Sequence, residues 1–324
     1  AITGNISVSN AIIGGTLRVS GATSLEGALV VGGKAEFNGD VCVSGNTQLV
    51  GTLKVTGATT ITGATGFLGT VTVSGAAGFL TTARVSGNTT IGGTLDVAGN
   101  TSIGGTLVAT GKAEFDDDVC VSGNTQLVGT LKVTGATTIT GATGFLGTVT
   151  VSGAAGFLTT MRVAGATSLE GAVVVGGKAE LNGDVCVSGN SQLVGTLKVT
   201  GATTITGAAG FLGTVRVSGA TSLESTLNVT GTTTITGNSG FLGTVRVSGA
   251  TSLEAGLVVG GKAELNGDVC VSGNSQLVGT LKVTGATTIT GATGVLGSMR
   301  VSGATSLEGT LKVLGGAAAA VCAT

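Results

Sequence analysis

Apolar residues recur along this chain at every sixth position, and two residues after nearly all of them stands Gly. The stretch Val55 to Leu68, VTGATTITGATGFL, shows the rule: Val55, Ile61 and Phe67 lead, Gly57 and Gly63 follow by two, and Thr59 and Thr65 follow by four. From Ile13 to Val313 there are 51 successive leaders, all Val, Ile, Leu or Phe except Ala109, with no residue inserted or deleted. Gly holds the third position in 46 of those 51 hexads; Thr81, Asp117, Thr159, Ser225 and Ala255 are the exceptions. Random low-complexity sequence does not keep frame over such a length, so the pattern predicts a repeat architecture.

In an extended chain alternate side chains share a face, which puts positions 1, 3 and 5 of each hexad inward and 2, 4 and 6 outward. Gly at position 3 predicts a bend in which the backbone takes a positive φ at little steric cost. Five-residue strands joined by such bends wrap into a parallel β-solenoid. Charges set the number of hexads per turn, because residues one coil apart are stacked about 4.8 Å from each other. Arg18, Glu36 and Lys54 stand 18 apart, as do Arg162, Glu180 and Lys198, and Arg246, Glu264 and Lys282, so opposite charges alternate at that interval. Asp96, Glu114 and Lys132 break the sign once. At an interval of 12 the pairing disappears. The expectation is an all-β, triangular β-helix with three hexads per coil, each residue i stacked on i+18, in which stability accumulates from neighbouring coils.

The frame defines the organisation: a continuous solenoid over 13–316, flanked by residues 1–12 and 317–324. In the first flank Ile2, Ile6 and Val8 alternate on the opposite parity from Ile13, which predicts a one-residue bulge or a separate strand. Both flanks, with Val321 in the second, are candidate joints between subunits. The chain begins at Ala1 rather than Met, as a mature or trimmed product would.

Composition narrows the function. Fifteen Lys and Arg against 16 Asp and Glu leave a net charge of -1, which supplies no clustered basic face for nucleic acid or an acidic membrane. No run of about 18 apolar residues is present to span a bilayer. His, Pro, Trp and Tyr are absent, removing the usual proton shuttle and the commonest metal ligand. The expectation is a non-enzymatic chain without cofactor, metal or small-molecule substrate. GxGxxG-like strings are unspecific among 62 Gly.

Four related blocks align on GKAEFNGDVCVSGN, beginning at Gly33, Gly111, Gly177 and Gly261. The second carries Asp116, Asp117 and Asp118 together; Ca²⁺ takes such oxygen ligands, but alternation points Asp117 away from its neighbours, so a solvated corner is expected. Cys42, Cys120, Cys186 and Cys270 all occupy outward position 6 at successive separations of 78, 66 and 84, none a multiple of 18, so they fall on different faces or many coils apart. Disulfides among them would need Cα atoms within about 7 Å, so free thiols or bridges to another chain remain, with Cys322 the foremost candidate for a bridge. Apolar residues at outward position 2 pair at 18: Val50 with Leu68, Val128 with Leu146, Val194 with Leu212, and Val278 with Leu296, joined by Leu80, Leu158 and Leu242. These stacked pairs are candidate lateral contacts with sister molecules. Sequons at Asn5, Asn88, Asn100 and Asn228 permit glycosylation in a secreting eukaryote.

Strings such as NTTIGGTLDVAGNTSIGGTL, residues 88–107, resemble the Gly/Thr/Val repeats of fibre shafts in phages and large viruses, over almost the full length. Bactofilins, cytoskeletal solenoids that form end-to-end filaments, are similar, though richer in charge. The aliphatic leader also resembles the hexapeptide-repeat acyltransferases, which work through a His that this chain lacks, and uninterrupted hexads without loops resemble the left-handed class of coil. Repeated Thr-x-Thr, as at Thr60 and Thr62, is similar to ice-binding solenoids, but the places one coil further on are held by Gly78 and Leu80. These resemblances imply scaffold work: a structural subunit stacking on itself head to tail into an extracellular, cell-surface or virion-associated filament. The alternative is a trimeric viral or adhesin fibre shaft carrying a separate binding tip, and an ice- or mineral-binding solenoid is a third class.

Overall fold

A computed structural model of the chain describes residues 3–314. Two compact units, Ala1–Asn182 and Gly183–Thr324, divide it, and each is described on its own. Every element among the described residues is a strand of three residues. No helix among them is long and apolar enough to cross a membrane.

In the first unit successive strands enter three parallel sheets in turn. Ile6–Val8, Thr23–Leu25 and Val41–Val43 begin the first sheet, Ala11–Ile13, Leu29–Val31 and Thr47–Leu49 the second, and Leu17–Val19, Ala35–Phe37 and Leu53–Val55 the third. Each strand pairs with the one three hexads further on, so that Arg18 stands opposite Glu36 and Glu36 opposite Lys54. The second unit repeats the plan: Val185–Val187 pairs with Thr203–Ile205 in its first sheet, Ser191–Leu193 with Ala209–Phe211 in its second, and Leu197–Val199 with Val215–Val217 in its third. Each unit is a triangular parallel β-solenoid.

Strands are three residues long rather than five because the chain must turn after every hexad. Positions 5, 6 and 1 carry the ladder, while positions 2, 3 and 4 make the corner. Flanking hydrogen bonds tie the corner to both neighbours: Leu17 N–H donates to Lys34 O of the next coil (2.8 Å), and Asn38 N–H to Val19 O of the preceding one (2.9 Å).

Glycine serves the corner differently from the bend expected. Among the described residues none, Gly included, has a positive φ. What excludes a side chain is the coil beneath: a Cβ on Gly39 would lie 2.7 Å from the carbonyl of Gly21, and one on Gly75 would lie 2.6 Å from the oxygen of Gly57. Corners stack on corners, and position 3 is where the backbones come closest. Outward glycines differ, since a Cβ on Gly66 meets nothing within 4 Å.

Inside, leaders and position-5 residues fill the coil. Phe67 meets Phe79, two hexads on, edge to face with ring centroids 6.4 Å apart, and Phe145 meets Phe157 likewise at 6.5 Å. Many position-5 residues are buried Thr. Several hydroxyls, those of Thr59, Thr137, Thr203 and Thr221 among them, have no hydrogen-bond partner. Such a group forfeits its bonds to water at a cost of about 1–3 kcal/mol.

At the amino end the parity change is a shortened corner rather than a bulge or a separate strand. Ile6 pairs with Thr23, a step of 17, while Ala11 pairs with Leu29, a step of 18. Only Ser9 and Asn10 separate Val8 from Ala11, so Ile6–Val8 remains in the first sheet.

Two outcomes test this account. Gly75→Ala should destabilise the protein by about 1–3 kcal/mol, the usual cost of overpacking, and lower the thermal midpoint followed by circular dichroism; Gly66→Ala should stay within about 0.5 kcal/mol of wild type. Thr137→Val, which keeps the shape and removes the unpartnered hydroxyl, should raise that midpoint, by about 1 kcal/mol or more in stability; a lowered midpoint would show that the hydroxyl is satisfied.

Candidate assembly surfaces

Surfaces are built from what the corners leave over. Position 4 presents an N–H outside the ladder, and Asx residues one coil earlier accept from it. Asp40 Oδ1 accepts from Ala58 N–H at 2.8 Å, Asn46 Oδ1 from Ala64 at 2.9 Å, and Asn124 Oδ1 from Ala142 at 3.0 Å. The second unit repeats the contact from Asp184 to Ala202 and from Asn274 to Ala292. Thr at position 2 works on the carbonyl side: the Thr62 hydroxyl donates to Ser44 O at 3.0 Å and that of Thr290 to Ser272 O at 2.8 Å. These contacts fasten corner to corner and leave the flat faces free.

The three consecutive acids are committed separately. Asp117 Oδ1 accepts from Asp118 N–H, Asp118 Oδ1 accepts from Ala136 N–H, and the Asn100 amide, turned to present its NH₂, donates to Asp117 at 3.0 and 3.3 Å. No group of three metal-ligating side chains occurs among the described residues.

The charge series read at the coil interval is in register, but its closest partners come from elsewhere. Arg18 reaches Glu36 at 3.7 Å and Arg162 reaches Glu180 at 3.5 Å. Shorter contacts join Lys at position 4 to Glu at position 6 of the same hexad: Lys34 to Glu36 at 2.7 Å, Lys112 to Glu114 at 2.6 Å, Lys178 to Glu180 at 2.7 Å and Lys262 to Glu264 at 2.8 Å. Alternation in the strand puts both side chains on the outer face two residues apart, a proximity that the coil interval does not reveal. Asp96 stands opposite Glu114, and Lys112 and Lys132 both approach that Glu. The hydrogen bond from the neighbouring Lys holds the carboxyls of Glu36, Glu114 and Glu264 below the usual glutamate range, against a smaller opposing effect of desolvation.

Cys42 and Cys120 in the first unit, and Cys186 and Cys270 in the second, are exposed free thiols. Cys42 lies in the first sheet of its unit between Ser24 and Thr60, and Cys120 in the second between Ser102 and Thr138. Cys322, Val321 and Ile2 lie outside the described residues.

The apolar position-2 pairs are exposed and stacked, but spread over different corners. In the first unit Val50 and Leu68 follow Leu49 and Phe67 of the second sheet, whereas Val128 and Leu146 follow Leu127 and Phe145 of the third. In the second unit Val194 and Leu212 leave the second sheet, and Val278 and Leu296 the first. Leu242 and Leu314 share the corner of Val278 and Leu296, and with only Gly260 interrupting the series they make one apolar ridge down the last coils.

The terminal coils are unlike the rest. Apolar core residues elsewhere are buried, whereas Leu311 and Val313 are 39% and 43% exposed, Val8 is 42% exposed, and Ile6 and Ile13 are half-buried. Compared with known protein families, curated proteins and solved structures, the chain matches none.

The glutamates give a pH test. A carboxyl whose pKa is lowered by folding contributes stability that is present above its unfolded value and lost as pH falls through the folded one. Lys34→Gln should therefore raise the Glu36 titration midpoint, read by carboxyl NMR, and leave Glu264 unmoved; an unmoved Glu36 would assign the shift to another cause.

Proposed function

We propose that this chain is a structural subunit that stacks end to end on further copies of itself to form a filament, at a cell surface, outside the cell or on a virion. The supporting observation is the pair of terminal coils. A strand with an open side presents a row of unpaired N–H and C=O groups, a ready template for another strand. Here that row lies beside apolar core residues left partly in water, Ile6, Val8 and Ile13 at one edge and Leu307, Leu311 and Val313 at the other.

The edges are complementary in kind. Within each unit the N–H groups of position 5 donate to the following coil and those of position 2 to the preceding one, and parallel alternation sends position 1 with the first and position 6 with the second. Among the described residues the edge at Leu311–Val313 carries the first set unpaired and the edge at Ile6–Val8 the second, which is the arrangement of a parallel ladder. Pairing the two would bury the exposed core residues at about 25 cal/mol per Å² of apolar surface.

The trimeric shaft remains the competing architecture, and mass per unit length separates the two. Electron microscopy of the purified chain at rising concentration should show filaments with the mass per length of one chain. The double substitution Leu311→Lys and Val313→Lys, which puts charge on an edge strand, should abolish them without changing the far-ultraviolet dichroism. Short particles of fixed length from the wild type, or three chains per cross-section, would overturn the reading.

A further inference from the structure

The string RVSGATSLE, with Ala replacing Ser once, occurs at Arg18, Arg162, Arg216, Arg246 and Arg300, and ends at Glu26, Glu170, Glu224, Glu254 and Glu308. Five of the six Arg residues therefore have a Glu eight positions on; after Arg84 that place is Gly92. Eight positions in this coil have one geometric meaning. Each Arg is at outward position 6 on a flat face, the chain passes one corner and one further strand, and the Glu stands at position 2 of the next corner. That corner lies across the triangle from the face that bears the Arg.

In the first unit Arg18 and Arg162 are on the third sheet, eight coils apart, and Glu26 and Glu170 occupy the corner where the chain leaves the first sheet. In the second unit Arg246 and Arg300 share the second sheet three coils apart. Glu254 and Glu308 are three coils apart at the corner where the chain leaves the third. Arg216 and Glu224, also in the second unit, stand instead on its third sheet and at the corner where the chain leaves its first. All ten side chains are exposed, and among the described residues none of the five Glu forms an ion pair within the chain. Arg18 and Arg162 touch Glu36 and Glu180 but keep 63% and 69% of their side chains in solvent.

We infer that these residues form a side-by-side contact between parallel, unstaggered copies of this chain, the Arg-bearing face of one against the Glu-bearing corner of the next. Translating a triangular coil sideways brings a face against the opposite corner. Eight positions out of the 18 in a coil correspond to a rise of about 2 Å at the spacing of parallel strands, which an Arg side chain spans. Because each copy offers the same Arg and Glu at the same level, all pairs that share a sheet within a unit are satisfied by a single sideways shift; in the second unit Arg216 with Glu224 takes a second shift, in a different direction from that of Arg246 and Arg300. A two-fold axis would place like surfaces together and bring Arg to Arg, so the contact is heterologous and generates an open lateral array. It stands independently of whether the ends join.

Lateral association is tested by charge complementation. Glu26, Glu170, Glu224, Glu254 and Glu308 are all replaced by Arg in one variant, and Arg18, Arg162, Arg216, Arg246 and Arg300 by Glu in a second. Particle width is measured by electron microscopy and small-angle scattering, separately from length. Wild type should bundle at low ionic strength and disperse when salt shortens the screening length. Each variant alone should remain single, and an equimolar mixture should bundle again. A third variant with the five Glu replaced by Gln keeps every ion pair within the chain and should need a roughly tenfold higher concentration to bundle, since each exposed pair contributes a small factor. Wild type that stays single at low salt, a Gln variant that bundles as wild type does, or a mixture that stays dispersed would each overturn the inference. Loss of bundling with unchanged filament length would leave the end-to-end reading intact.

Discussion

Everything in this structure depends on how closely one corner can rest on the next. The parallel ladder needs adjacent backbones at about 4.8 Å on all three sides of the triangle, and a turn holds that distance most readily where it carries no Cβ at the point of convergence, as in 46 of the 51 hexads. Gly at position 3 meets this requirement by its size. The carbonyl of Gly57 beneath Gly75 occupies the place where a methyl group would go. Conformational freedom, the usual reason for Gly at a turn, has no part, because no positive φ occurs among the described residues.

From that constraint the division of labour within the hexad follows. Positions 5 and 1 fill a core one leader deep, position 6 faces outward from the sheet, and positions 2 and 4 compensate the backbone groups that the turn removes from the ladder. Asp40, Asn46 and Asn124 supply carbonyl-type acceptors to the coil that follows, and Thr62 supplies a donor to the coil before. Each contact couples neighbours rather than closing within one coil, so stability is shared between turns in the manner of a nearest-neighbour chain.

Much of the fold was legible because the sequence is periodic at the scale of the structure. Leaders six apart and charges 18 apart specify three strands per turn, and both features survive unchanged in the pairing of Arg18 with Glu36. What was hidden involves groups that periodicity does not distinguish. Strand length depends on how many residues a corner consumes, which composition does not state. The role of Asn46 is set by an N–H at Ala64, a backbone group invisible in the sequence, and a bend-forming Asn looks the same as a fastening one. Lys34 is not marked by the coil interval, because its carboxylate partner lies two residues away on the same strand face. Among the candidate surfaces, exposure of Leu68 and Leu296 could be read from parity alone, whereas the distribution of the apolar pairs over different corners depends on which sheet each preceding leader enters.

A chain made of near-identical hexads has a difficulty that ordinary domains escape: any coil could nucleate against almost any other at a multiple of the repeat. The step from Val8 to Ile13, one short of a hexad, breaks this equivalence once, at Ser9 and Asn10. It acts as an origin on a ruler whose other divisions are alike, because among the described residues one junction alone accommodates a turn of 17, and the hydrogen bond from Ala28 N–H to Asn10 clasps the following coil onto that junction. A molecule that gave this corner three residues, like the others, would turn Asn5 and Ser7 inward and Ile6 outward.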